Sequence, residues 1–153
     1  LYAASAAGVP VTLVVRGICC LVSGVPGISE NIRVLSLVGQ LLEHSRIFRF
    51  ENAGAPRLYL GSADWMPRNL DRRVELVFPI EEERIRRRVE EVISLLLEDT
   101  VNAREQQPDG SYKMVDGRGR PQLNAQWELQ SRAQEAYRIK MEKEMETEGM
   151  DRL

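Results

Sequence analysis

The chain has 153 residues, 43% of them hydrophobic and 29% charged, enough for one ordinary domain with a sizeable core. Its formal net charge of −2 excludes whole-molecule steering toward nucleic acid, and no apolar run reaches the roughly 18 residues of a membrane helix. One histidine and two adjacent cysteines, Cys19 and Cys20, exclude a zinc site of His and Cys ligands.

The opening "LYAASAAGVPVTLVVRG" has no basic n-region, so it is not read as a signal peptide. It reads as the end of a helix, a Gly-Val-Pro turn and a strand, and a start inside an element suggests a piece of something larger. "VTLVVRGICCLV" (11–22) is a near-continuous apolar run rich in β-branched residues, the pattern of a strand buried on both faces. The cysteines are expected there as small buried residues. Neighbours in a strand point to opposite faces, so a disulfide between them would be strained, and free thiols fit a reducing cytoplasm.

"SGVPGISE" (23–30) is loop chemistry. From Asn31 to Glu43, Ile32, Leu35, Val38 and Leu42 recur at helical spacing and predict a helix. "RIFRFE" (46–51) alternates and predicts a strand; "NAGAP" (52–56) is a turn, and "RLYLGSA" (57–63) is the returning strand of a hairpin. "DWMPRNLDR" (64–72) reads as an irregular loop and "RVELVFPI" (73–80) as a strand.

Glu81 to Asp99 is an amphipathic helix with Ile85, Val89, Val92, Ile93, Leu96 and Leu97 along one stripe and three acids in the first turn, where the dipole favours them. Residues 102–122 form a polar loop or short hairpin. A last helix runs from Leu123 to about Thr147, with Trp127, Tyr137, Met141 and Met145 on one face. Strands alternate with helices, so the class is α/β with a mixed sheet, read as one domain over 1–153.

The basic residues are skewed: 18 of 21 are Arg, and the first 100 residues contain no Lys. Arg presents a planar fork suited to phosphate or carboxylate; high-GC codon usage would give the same skew.

The segment from His44 to Glu75 carries the chemistry. His44 begins a strand and Arg46 follows two residues on, on the same face. The next strand ends in Gly61-Ser62-Ala63-Asp64. Arg68 and Asn69 follow in the loop, and Glu75 lies beyond. The set resembles one half of a phospholipase D superfamily site, H-x-K then G-S-x-N then Glu. A neutral imidazole can attack phosphorus or shuttle a proton, and a nearby cation can hold phosphate oxygens. Arg46 replaces the expected Lys and Asp64 the expected Asn, and a diesterase site needs two such histidines.

"VVRGICCLVSGVPGISENIRVLSLVGQLLEHSRIFRF" followed by "YLGSADWMPRNLDRRVELVFPI" is similar to the C-terminal catalytic domain of bacterial polyphosphate kinase, from Leu1 to about Thr100 and more weakly through "GRGRPQLNAQWEL". The resemblance implies a phospholipase-D-like mixed sheet flanked by helices. It implies an enzyme that reversibly moves the terminal phosphate of ATP to polyphosphate through a phosphohistidine. Mg2+ would accompany ATP, with ligands outside this chain. His44 matches the family's second active-site histidine and Arg16 the arginine that contacts ATP; the phosphorylated histidine belongs to a preceding domain.

Arg46, Ser62, Asp64, Arg68 and Asn69 are the further candidates for ATP or phosphate binding. An ion pair explains Arg46 and Asp64 equally well, and turn capping explains Ser62 and Asn69. Arg68, Arg72 and Arg73 would line a polyphosphate path, with pairing to Asp71 or Glu75 as the alternative for Arg72 and Arg73. Trp65 and Trp127 are expected to pack, with a base contact as the alternative for Trp65. No metal ligand is assigned. The isolated fragment is expected to be inactive, and the remaining domains of the polypeptide and a homo-oligomeric assembly are the implied partners. The expected location is cytoplasmic, with peripheral membrane association as an alternative. A dimeric phosphodiesterase or nuclease, or a non-enzymatic polyphosphate-binding module, are the rival readings.

Overall fold

The computed structural model describes residues 1–150. The chain forms two compact units, one of residues 1–41 and 94–153 and one of residues 42–93.

The first unit holds helix α1 (Tyr2–Ala6) and strands β1 (Val11–Val15) and β2 (Ile32–Leu37). β2 pairs in parallel with β1, Val11 opposite Ile32 and Val15 opposite Ser36. The expected helix at Asn31–Glu43 is therefore a strand. Ile32, Val34, Leu35 and Leu37 are all buried, as suits a central strand covered on both faces. Val38 and Leu42, which completed the helical spacing, are 66% and 71% exposed, so that periodicity was a coincidence within an apolar run. Burying a leucine as fully as Leu35 and Leu37 contributes roughly 1.5–3 kcal/mol each.

β1 is also shorter than its sequence suggested. It ends at Val15, at the edge of the sheet, and none of its residues is buried. Residues 16–22 form no strand, Cys20 is exposed and Cys19 only half-buried. The near-continuous apolar run thus marked a half-covered edge strand followed by an irregular segment.

The 102–122 excursion contains the hairpin of β6 (Ala103–Gln106) and β7 (Tyr112–Met114). It completes a four-stranded mixed sheet in the order β1-β2-β6-β7, with β6 antiparallel to both neighbours. Gln106 is buried in β6. Its Oε1 accepts from Ser23 N at 2.9 Å and its Nε2 donates to Leu21 O at 3.0 Å, tying the 16–31 loop to the sheet.

Helix α3 (Glu83–Glu98) forms as expected; along its expected stripe Ile85 is exposed and Val89, Val92, Ile93 and Leu97 are half-buried, while Leu95, outside the stripe, is buried with Leu96. Just beyond it, Asp99 is fully buried. Its Oδ1 accepts from Val101, Asn102 and Ala103 N at 2.9, 2.6 and 3.0 Å, and its Oδ2 from Ala125 N at 2.8 Å. One carboxylate thereby satisfies donors of the turn into β6 and of the first turn of helix α4 (Ala125–Met150). In that same turn Gln126 accepts from Leu41 N at 3.0 Å and donates to Leu41 O at 2.7 Å. A Cβ on Gly39 would run into the Gln126 side-chain amide, so a larger residue here would displace that amide from Leu41. Trp127 is 65% exposed and does not pack as expected. Residues 131–145 of α4 are exposed on every side, supported by pairs such as Arg132–Glu128 and Arg138–Glu135, both at 2.7 Å.

The second unit is built on the antiparallel sheet β3 (Ile47–Phe50), β4 (Arg57–Gly61) and β5 (Val77–Pro79), in that order. The hairpin expected from the 46–63 alternation is present, with Ile47 opposite Leu60 and Phe50 opposite Arg57. The "DWMPRNLDR" stretch is not irregular: helix α2 (Pro67–Arg72) forms inside it, with extended Met66 before it and Pro67 in its first turn. Proline is pre-organised for that position. Leu58, Ala63 and Ile80 are buried in this unit. Among the described residues, no helix is long and apolar enough to cross a membrane.

Candidate functional site

The hairpin positions the candidate site. Arg46 immediately precedes β3, and Gly61 N donates to its carbonyl at 3.0 Å, so the entry to β3 and the end of β4 lie side by side. Glycine suits this crossing, because a Cβ on Gly61 would press on Phe48, Val77 and the Leu76 carbonyl at 3.1–3.3 Å. His44, Arg46, Ser62, Leu76 and Phe78 line a groove of about 470 Å³ in this unit.

Arg46 organises one side. Its Nη1 donates to the His44 carbonyl at 2.7 Å and faces His44 Nδ1 at 3.4 Å. Its Nε and Nη2 lie 3.1 and 3.0 Å from Asp64 Oδ1. The ion-pair reading of Arg46 and Asp64 is the arrangement present. With Nη1 donating to Nδ1, the neutral imidazole carries its proton on Nε2. The side chain of His44 is exposed.

Glu75 organises the other side. Ser62 Oγ donates to Glu75 Oε2 and accepts from Leu76 N at 3.0 Å, while Asn69 Nδ2 donates to Glu75 Oε1 at 2.9 Å. Asn69, supplied by α2, is buried. The Ser62 hydroxyl holds the Glu75 carboxyl below its ordinary range, helped by Asn69 and by the charges of Arg73 and Arg46. The folded-state pKa is depressed, so this interaction stabilises the fold above the unfolded value of 4.5 and is lost as pH falls below it. Ser62→Ala should therefore move the Glu75 carboxyl back up, read as a rise in its pKa by carbon-detected NMR titration. An unchanged midpoint would remove the hydroxyl as the main cause.

The structure thus brings His44, Arg46, Ser62, Asp64, Asn69 and Glu75 into the second unit. Arg68 is exposed on α2, as are Arg72 and Arg73 nearby, and none of the three forms an ion pair among the described residues. Trp65 stacks on Phe48 with ring centroids 5.7 Å apart yet stays 59% exposed. Arg16 belongs to the first unit, half-buried on the bend after β1. Sequence reasoning used Glu75 to close a motif and as an alternative partner for Arg72 or Arg73; its spacing from Ser62 gave no sign that Ser62 and Asn69 both aim at it. The four-donor role of Asp99 was missed as well.

Residues 1–126 match the family described as polyphosphate kinase C-terminal domain 2. The chain belongs to the polyphosphate kinase family. It is 51% identical over 138 residues to the polyphosphate kinase of Lactiplantibacillus plantarum, covering 90% of this chain and 19% of that protein. It is 57% identical over 112 residues to that of Synechocystis sp., covering 73% of this chain and 15% of that one. The crystal structure of polyphosphate kinase from Porphyromonas gingivalis matches with a TM-score of 0.83 at 37% identity, over 91% of this chain and 21% of the other. The fold class is accordingly the phospholipase-D-like α/β arrangement expected, and the chain spans under a fifth of the length of these curated relatives.

Proposed function

We propose that the protein carrying this chain reversibly transfers the terminal phosphoryl group of ATP to inorganic polyphosphate. In this reading the phosphohistidine lies outside the chain, and His44 assists as a proton donor through Nε2. The observation that carries the proposal is the grouping of His44 with Arg46 at a groove, in a chain of the polyphosphate kinase family. Phosphoryl transfer is mostly positioning and charge stabilisation. The Arg46 guanidinium holds the imidazole by its backbone and its Nδ1, and Asp64 holds the guanidinium. Ser62 and Asn69 act through Glu75, holding its carboxylate ionised and in place. Arg16 and Arg68 serve as phosphate contacts, the first with ATP.

Mg2+ would enter with the nucleotide. Its ligands would be the ATP phosphates and groups outside this chain. The remaining domains of the polypeptide, self-association and a cytoplasmic location belong to the same proposal. Family membership favours it over a diesterase or a simple binding module.

Incubation of the whole protein with labelled ATP, Mg2+ and polyphosphate tests the reading. Label should pass from ATP into polyphosphate, and the reverse reaction should make ATP from ADP. The 153-residue chain by itself should sustain neither. Failure of the whole protein in both directions, or sustained turnover by the short chain, would refute it.

A further inference from the structure

Two thiols stand side by side in the first unit. Had Cys19 and Cys20 lain in a strand, the pleat would have sent them to opposite faces. β1 ends at Val15 and residues 16–22 form no strand, so that separation is not imposed. Both thiols are free, Cys20 exposed and Cys19 half-buried. Cys19 Sγ lies 3.7 Å from the Leu21 carbonyl, a weak donor turned forward along the chain, past Cys20.

The segment is held at both ends. β1 pairs with β2 up to Val15. On the other side Leu21 O accepts from Gln106, Val22 N donates to the Tyr2 hydroxyl at 3.0 Å, and Ser23 N donates to Gln106. Tyr112 borders the site: burial, and then the Cys19 sulfur, push its phenol above the ordinary range. The cysteines therefore sit on a short tethered arc, with Gly17 in open space just before them.

Such a pair suits a ligand that takes two sulfurs at once. A direct disulfide between neighbours closes a small, strained ring. An atom inserted between the sulfurs enlarges the ring and relieves it. Thiolates prefer soft, thiophilic centres, and after the first sulfur binds, the second is present at high effective concentration.

We infer that Cys19 and Cys20 together form a chelating site for trivalent organoarsenicals. With an arsenic(III) oxide, two As–S bonds form and the As–O bonding is broken. The oxygen leaves as water with the two thiol protons. Arsenic stays trivalent, its third bond going to its own organic group, so no oxidant or reductant is consumed. The site shares no residue with the groove and is independent of the phosphoryl-transfer reading.

Phenylarsine oxide added to the reduced whole protein tests this. One adduct should map to the tryptic peptide 17–33 and block both thiols against maleimide. It should withstand excess 2-mercaptoethanol and be released by 2,3-dimercaptopropanol. Cys19→Ser and Cys20→Ser, each checked for folding by circular dichroism, should each weaken retention in the presence of monothiol by about tenfold or more. An adduct that washes off the wild type with monothiol, or that survives either single substitution, overturns the inference. The peptide mapping is made on wild-type protein and stands even where a variant misfolds.

Discussion

Substitution of His44 by alanine is expected to lower the turnover of the whole protein by about 10²–10⁴-fold, the usual contribution of a positioned acid–base group. The effect should fall on kcat with ATP and polyphosphate while the fold is unchanged, because the imidazole is exposed. The partner groups sharpen this. Arg46 fixes the ring from the Nδ1 side, so a replacement offering one N–H near the Nε2 position, His44→Gln, should recover a small part of the loss. Steady-state kinetics with circular dichroism as a folding control checks both. A loss of less than about tenfold for His44→Ala would mean that the imidazole moves no proton in the rate-limiting step.

Asp99→Ala is expected to be the most destabilising single substitution in the first unit. The carboxylate accepts four backbone N–H groups, and those of Ala103 and Ala125 are fully buried. Each orphaned buried donor costs about 1–3 kcal/mol, while the Val101 and Asn102 donors are only partly buried and can turn to water. The expected loss is therefore about 2–6 kcal/mol, measured by urea denaturation. Asp99→Asn keeps the shape and one acceptor and should lose less. A change below about 1 kcal/mol for the alanine variant would show that the buried donors find other partners.

The candidate site was legible where it lay on local pattern. The alternation from Arg46 to Phe50 and the strand from Arg57 predicted the hairpin, whereas His44, read as beginning that strand, lies three residues before β3 and meets Arg46 through the guanidinium. The same local reasoning failed at 31–43. A central strand covered on both faces is apolar at almost every position, so helical spacing can be found in it by chance. It failed at α2, where the stretch read as an irregular loop holds a helix that Pro67 opens after an extended residue. Asp99 and Gln126 could not be found from pattern at all. Their partners, Ala125 and Leu41, lie 26 and 85 residues away, and a buried acid or amide looks in sequence like any surface one. Cys19 and Cys20 were placed by an apolar run that continues past the end of its strand.

Helix α4 behaves as a rod anchored at one end. Its first residues, Ala125 and Gln126, are buried and tied by Asp99 and Leu41, whereas 131–145 rest on contacts within the helix. A helical segment with only local support is marginal in water, so its opening free energy is graded. It is highest at the root, where melting must break the Asp99 cap, and falls toward the tip. The outer turns can open and reclose without disturbing the sheet, and the first unit keeps its integrity while the rod changes length.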